Sequence, residues 1–122
     1  MKISVFHDGS GNFTNKTVQN GGETEADAAM QLMLASVAEG IGQALLFKAG
    51  MQGRPMGRFK VSVEAVNSLE DIHAKGLDVE VEAQVPRETL EELVNAALSH
   101  CFPEGSPACP VRHSVIALSQ GE

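Results

Sequence analysis

Residues 30–47 of this chain read MQLMLASVAEGIGQALLF, and this stretch restricts the possible folds of the chain more than any other. It lies within a predicted helix over residues 24–49, with Thr24 as the N-cap and Gly50 as the stop. The apolar residues surround most of the helix axis, which is typical of a helix buried on nearly all sides. Such a helix would be about 39 Å long, and one small domain cannot easily cover it. The pattern therefore predicts a homodimer with this helix at its centre.

A narrow strip of polar and small residues interrupts the apolar surface of this helix. It consists of Ser36, Glu39, Gly40 and Gln43. A carboxylate there must be paired, hydrated or protonated, because burying it alone is costly. Two interpretations are open: the strip lines a ligand pocket, or Glu39 reaches solvent or a basic residue at the edge of a dimer interface. A helix break at the nearby glycines would weaken the argument for a dimer.

The rest of the chain supplies shorter elements that can pack against the long helix. Alternating apolar residues and turn clusters predict strands, and a 3.6-residue period predicts a second helix. In chain order these are strands over 2–7, 13–19, 58–65 and 77–85, a helix over 87–100, and a strand over 114–118. The order ββαββαβ predicts a two-layer α+β fold, and the length predicts one domain over residues 1–122.

Composition narrows the possible partners. The chain has 122 residues and a formal net charge of −7, and its basic residues form no cluster longer than a dipeptide. Nucleic acid and anionic membranes are therefore not expected as partners. The opening MKISVFHDG lacks the long apolar region of a secretory signal, so a cytoplasmic protein with cysteine thiols is predicted. Nothing in the sequence calls for a cofactor or a metal.

Residues 106–113, SPACPVRH, contain one of the two cysteines. Cys109 precedes Arg112 and His113, whose positive charge would increase its thiolate fraction. Cys101 ends the apolar face of the second predicted helix and is expected in the core. The two thiols could form a redox pair, although their spacing specifies no motif. A zinc site built from these cysteines and the adjacent histidines has suitable ligands but no zinc-type spacing, and buried thiols are the simplest interpretation.

Two segments resemble proteins of the OsmC/Ohr family. Residues 32–66, LMLASVAEGIGQALLFKAGMQGRPMGRFKVSVEAV, are similar to the family's central helix and following strand, and SPACPVRHSV resembles its C-P-V segment. The resemblance extends over residues 21–118 and rests on order and pattern rather than on an identical signature. It implies an intertwined α+β homodimer whose two long helices pack together. The family's usual activity is thiol-dependent reduction of organic hydroperoxides, with a peroxidatic cysteine on the central helix and a resolving cysteine in the C-P-V segment.

This sequence departs from the family pattern at the residues that carry that activity. Laying ASVAEG over the family's A-A-L-A-A-C run puts Gly40 where the peroxidatic cysteine is expected. The family's helix glutamate falls near Met30 or Gln31, and its N-terminal arginine is missing, since the first arginine is Arg54. Cys109 alone remains, at the resolving position.

The resemblance and these departures together lead to two functional hypotheses. In the first, the chain lacks the usual reductase activity and binds a small ligand in a pocket. The predicted pocket residues are Ser36, Glu39, Gly40, Gln43 and His113. In the second, the chain is a thiol-dependent hydroperoxide reductase in which Cys109 reacts and Cys101 resolves. The resemblance also implies that the loop carrying Cys109 approaches Gly40 and Glu39, of the same or the other subunit.

Overall fold

The computed structural model describes residues 2–18, 25–54, 56–67, 74–101 and 111–118, without the side chains of 15–18, 25–27, 66–67 and 74–75. Within these ranges the chain forms five strands and two helices in the predicted order ββαββαβ. The elements are β1 (Lys2–Asp8), β2 (Phe13–Val18), α1 (Glu25–Met51), β3 (Arg58–Asn67), β4 (Ala74–Ala83), α2 (Arg87–Cys101) and β5 (Val111–Ala117).

The five strands form one mixed sheet in the order β2-β1-β3-β4-β5. All neighbours are antiparallel except β4 and β5, which are parallel because the connection through α2 returns the chain to the same end of the sheet. Both helices contact the sheet, α1 over β1 and β3 and α2 over β5, and they also contact each other. The predicted two-layer α+β architecture is therefore confirmed.

The core lies between the helices and one face of the sheet. Every second residue of the central strands points toward the helices, and Val61 and Val81, which are partners across β3 and β4, are fully buried. Leu34, Ile41 and Leu45 of α1 are also fully buried against this face. The strand residues that point toward the helices and the residues on one side of α1 thus form a single hydrophobic cluster.

The long helix continues further than predicted. It passes Gly40, Gly42 and Gly50 without a break and ends at Met51, where Gly53 adopts a φ of +66°. The Arg54 N–H donates to the Ala49 carbonyl at 2.9 Å, which closes the helix with a glycine-dependent C-terminal turn. A glycine inside a helix costs about 1 kcal/mol, which the packing of α1 offsets.

A single chain does not cover the whole of α1, as the sequence predicts, and burial of the remaining side of the helix by a second copy stays a prediction. Its outward side carries large apolar residues that remain exposed, with Leu32 at 72%, Phe47 at 60% and Met51 at 70%. One helix can bury only the side that faces its sheet, so apolar residues around the whole axis leave a second apolar side uncovered. By length and composition alone, Ala28–Met51 could also cross a membrane, although a core helix has the same two properties.

The β1–β2 hairpin is tied to the rest of the sheet by a buried histidine. His7 is 4% exposed, and its Nδ1 lies 2.7 Å from the Gly57 carbonyl oxygen, while the Gly11 N–H donates to Nε2 at 3.0 Å. These two bonds assign the neutral ring with its proton on Nδ1. The Gly9 N–H, 3.3 Å from the same Nδ1, is the weaker contact and does not alter this assignment. The imidazole therefore fixes the hairpin turn against the start of β3.

Phe13, the first residue of β2, packs directly on the backbone of α1. A Cβ at Gly42 would lie 2.6 Å from Phe13 Cε1, whereas a Cβ at Gly40 would meet nothing within 4 Å. The Phe13 ring also contacts the His7 ring at a centroid distance of 5.1 Å, so it cannot move freely. A side chain at position 42 would therefore require the Phe13 ring to shift.

The two glycines provide a matched pair of substitutions. We expect Gly40→Ala to stabilise the chain by up to about 1 kcal/mol through helix propensity. Gly42→Ala should be at least about 1 kcal/mol less stable than Gly40→Ala, because its methyl group overpacks against Phe13 and this cost offsets the gain in helix propensity. Urea unfolding followed by circular dichroism measures both. Equal stabilisation by the two alanines would show that Phe13 does not pack on Gly42.

Candidate functional site

A cavity of about 260 Å³ lies between the β1–β2 hairpin and the first half of α1. Val5 of β1 and Phe13 of β2 form one wall, and α1 forms the other. The helix residues that line it are Leu32, Ala35, Ser36 and Glu39. The cavity thus combines mainly apolar walls with one hydroxyl and one carboxylate, a composition suited to a small apolar molecule that carries a polar group.

The hairpin wall of this cavity is held by a cluster of three rings. His7 stacks on Phe59 at a centroid distance of 4.7 Å and an interplanar angle of 29°, and Phe13 meets the edge of Phe59 at 6.0 Å. The hydrogen bonds of His7 to the turn and to Gly57, just before β3, hold its ring against both phenyl rings. The position of Phe13, and with it the width of the cavity, therefore depends on His7.

The polar strip of α1 lies on the outward side of the helix. Ser36 and Glu39 line the cavity, and Gly40 and Gln43 are exposed beyond it. Glu39 is itself exposed, so water reaches its carboxylate in the single chain. Both interpretations of the strip thus describe part of its surroundings, because Glu39 borders a cavity and also faces solvent.

His113 does not join this group within one chain. It lies on β5, at the opposite edge of the sheet from the hairpin, where its Nε2 is 3.8 Å from Glu91 Oε2 of α2. The sequence pattern placed it in the same pocket as Glu39 because the strand order was unknown. Once β5 pairs with β4, three strands separate His113 from β2.

Cys101 occupies a position that the sequence did not predict. Its Sγ lies 3.9 Å from the Gly40 carbonyl oxygen, and its side chain is half-buried against the core rather than within it. Burial raises the pKa of the Cys101 thiol, which lowers the fraction present as thiolate. A thiol therefore lies beside Gly40, but it comes from the end of α2.

Cys109 lies outside the described residues, and so does its predicted approach to Gly40 and Glu39. Within the described ranges, no three His, Cys, Asp or Glu side chains are grouped as they would be around a metal ion. The zinc site suggested by the ligand inventory cannot be assembled from those ranges alone, since one of its cysteines is Cys109.

Sequence reasoning missed the apolar half of the cavity. Ser36 and Glu39 stood out because polar residues are unusual on an apolar helix, whereas Val5 and Phe13 come from strands that only the tertiary fold brings to α1. One signal was available in Gly42, since a glycine inside a helix often marks a close approach by another element. Its partner could not be identified without the sheet order.

Comparison with known proteins adds a structural relationship. No family model matches the sequence, and no curated protein matches it. Solved structures do match: the organic hydroperoxide resistance protein OhrB of Bacillus subtilis is 23% identical, with 93% of this chain and 95% of that chain covered and a TM-score of 0.55. The chain has the OsmC/Ohr fold. The resemblance noted in the sequence is therefore confirmed at the level of the fold.

Two further OsmC/Ohr structures support the same conclusion over nearly the whole chain. The organic hydroperoxide resistance protein OsmC of Legionella pneumophila is 21% identical, covers 96% of this chain and 97% of its own, and gives a TM-score of 0.59. An OsmC-like protein of Mycoplasma pneumoniae is 11% identical, with coverages of 94% and 95% and a TM-score of 0.60. At identities this low the comparison establishes the shared OsmC/Ohr fold.

Proposed function

We propose that this chain is a cytoplasmic, homodimeric OsmC/Ohr-type protein of the peroxide-stress group. In this proposal it binds a small, largely apolar ligand in the cavity beside Glu39 and lacks the usual hydroperoxide reductase activity. The observation that carries the proposal is the cavity itself, whose apolar walls end at Ser36 and Glu39, next to a position without a side chain, Gly40. An alcohol ligand would donate a hydrogen bond to the Glu39 carboxylate and accept one from the Ser36 hydroxyl, with its apolar part against Phe13 and Leu32.

The proposed lack of reductase activity is supported by what the reaction needs. A thiolate must attack the O–O bond, a cation must keep that sulfur ionised, and an acid must protonate the leaving oxygen. Gly40 supplies no sulfur where the resemblance puts the peroxidatic cysteine. Cys101, whose thiol lies 3.9 Å from the Gly40 carbonyl, has a raised pKa and hence little thiolate at neutral pH.

The exposed side of α1 supports the homodimer. Leu32, Met33, Phe47 and Met51 are large apolar residues with substantial exposure on one helix. An isologous contact between two copies of α1 would cover all four residues on both chains at once. The cavity opens beside Leu32, so a second copy would also lie close to the ligand.

A second candidate, thiol-dependent reduction of organic hydroperoxides, is favoured by the contact between Cys101 and Gly40. The Cys109 thiolate would attack the peroxide, releasing an alcohol once the leaving oxygen takes a proton, and would become a sulfenic acid. The Cys101 thiol would then displace water from that sulfenic acid to form a disulfide. An external dithiol would reduce the disulfide and return both thiols.

Hydroperoxide turnover separates the two candidates. Cumene hydroperoxide is supplied with dithiothreitol, and its consumption by the unaltered protein is compared with that by Cys109→Ser and Cys101→Ser. We expect all three proteins to match the rate of the protein-free reaction. Turnover by the unaltered protein that disappears in Cys109→Ser would replace the first candidate by the second.

Ligand binding needs its own measurement, since the lack of turnover does not demonstrate a binding site. Cumyl alcohol, the unreactive analogue of the hydroperoxide, is titrated while amide chemical shifts are recorded. We expect shifts at Ala35, Ser36 and Glu39, and at least about tenfold weaker binding by Ala35→Leu, which fills the cavity. Unchanged affinity in that variant would contradict binding in this cavity.

A further inference from the structure

The sheet face that points away from the helices carries charged residues in neighbouring positions. Lys60 of β3 pairs with Glu82 of β4 at 3.3 Å, and Arg112 of β5 pairs with Asp78 of β4 at 3.0 Å. Each ion pair joins residues that are direct partners in the strand register. These charges largely satisfy one another, as expected for a solvated sheet face.

One end of this outer face is different because it exposes large apolar side chains. Phe6 of β1 and Leu118, just after β5, are 38% and 40% exposed. Both line a cavity of about 330 Å³, whose charged lining residues are Asp8, Arg58, Lys60 and Glu82. The lining is mainly apolar, and the volume lies within the range of small-molecule sites.

Arg58 is a cation at this cavity whose natural partner is engaged elsewhere. It lies directly opposite Asp8 in the register of β1 and β3. The Asp8 carboxylate instead accepts hydrogen bonds from Ser10 N–H at 2.6 Å and from Asn12 N–H and Nδ2 at 3.2 Å. Within the described part of the chain, the Arg58 guanidinium has neither an ion pair nor a hydrogen bond.

The hairpin turn keeps this arrangement in place. The Ser10 N–H holds the pKa of Asp8 below its usual value, so the carboxylate stays ionised and bound to the turn. Gly9, with a φ of +91°, lets the turn pass close to β3, where a Cβ would lie 3.7 Å from Arg58 Cγ. The aliphatic part of Arg58 thus lies along the turn beside the apolar wall formed by Phe6.

We propose that the outer-face cavity binds a small monocarboxylate with an apolar tail. The carboxylate lies on the Arg58 guanidinium, which can donate two parallel hydrogen bonds, and the tail lies between Phe6 and Leu118. Lys60 adds a second positive charge nearby, although Glu82 neutralises most of it. This site is on the opposite side of the sheet from the cavity beside Glu39, so the two proposals stand or fall separately.

Octanoate serves as the probe, with octanol and octylamine as uncharged and cationic controls of the same length. Each is titrated into the unaltered protein while amide chemical shifts are recorded. We expect octanoate to shift the amides of Phe6, Phe59 and Leu118, with octanol binding at least about tenfold more weakly and octylamine more weakly still. Octanol binding as tightly as octanoate would overturn the role of Arg58.

Variants of two arginines complete the test. Arg58→Gln is expected to weaken octanoate binding at least about tenfold. Arg58→Lys should bind octanoate more tightly than Arg58→Gln but less tightly than the unaltered protein. Arg54→Gln is the control, because Arg54 Nη1 donates to Thr89 Oγ1 at a different place on the surface and its loss should leave binding unchanged. An unchanged affinity in Arg58→Gln, or octanoate shifts centred on Ser36 and Glu39, would refute the proposal.

Discussion

Phe47→Asp/Met51→Asp is expected to sediment as a monomer at micromolar concentration, where the unaltered protein sediments as a dimer. Both residues are more than half exposed on the outward side of α1, and neither lines the cavity beside Glu39. Burying one such side chain contributes about 2 kcal/mol, and a symmetric dimer buries each of them twice. Because each side chain is only partly exposed in the single chain, the double substitution should cost roughly 5 kcal/mol in the free energy of dimerisation, which raises the dimer Kd by more than three decades.

The control for this experiment lies on the other side of the molecule. Ile116→Asp also introduces a carboxylate at an exposed apolar residue, but on the sheet face that points away from α1. We expect this variant to remain dimeric. A stable, folded monomer of the unaltered protein, or a dimer that survives the double substitution in α1, would contradict an interface built on this helix.

His7→Ala should give the largest loss of folding stability among substitutions of single polar residues in the described part of the chain. The change removes a buried ring that packs against both Phe13 and Phe59, and it leaves the Gly57 carbonyl and the Gly11 N–H without their partner. Loss of packing and unsatisfied backbone groups together should cost about 3–5 kcal/mol in the free energy of unfolding. Urea unfolding provides the measurement.

His100→Ala is the matched control, since His100 is exposed at the end of α2. It should change the free energy of unfolding by no more than about 0.5 kcal/mol. If His7→Ala proves as mild as His100→Ala, the imidazole does not tie the hairpin to β3. In that case the wall of the cavity at Phe13 would have to be held by other contacts.

The fold could be predicted from the sequence because its periodicities are strong and its turns are marked. The strands β1 and β3 begin where they were predicted, and α1 differs mainly in continuing past Gly50 to Met51. The start of β5 was misplaced by three residues, from 114 to Val111, because the prolines just before it suggested a longer irregular segment. Boundaries of this kind depend on strand pairing, which local patterns do not contain.

The site was only half predictable for a related reason. Polar residues in an otherwise apolar helix can be recognised from the sequence alone, so Ser36 and Glu39 could be singled out. The opposite wall of the cavity is formed by Val5 and Phe13. These two residues could not be identified without knowing which strands lie under α1. The sequence also did not show that His113 lies at the opposite edge of the sheet within one chain, or that Cys101 contacts Gly40.

We propose that this protein combines the OsmC/Ohr fold with a ligand cavity beside α1 and lacks the thiol chemistry, and a measurement of its intact mass after peroxide treatment tests this proposal. The fully reduced protein is mixed with one equivalent of cumene hydroperoxide, and its mass and free thiols are measured before any dithiol is added. We predict an unchanged mass with both Cys101 and Cys109 still free. A rapid loss of two hydrogens, from a disulfide between them, or the gain of one oxygen at Cys109 would contradict the account.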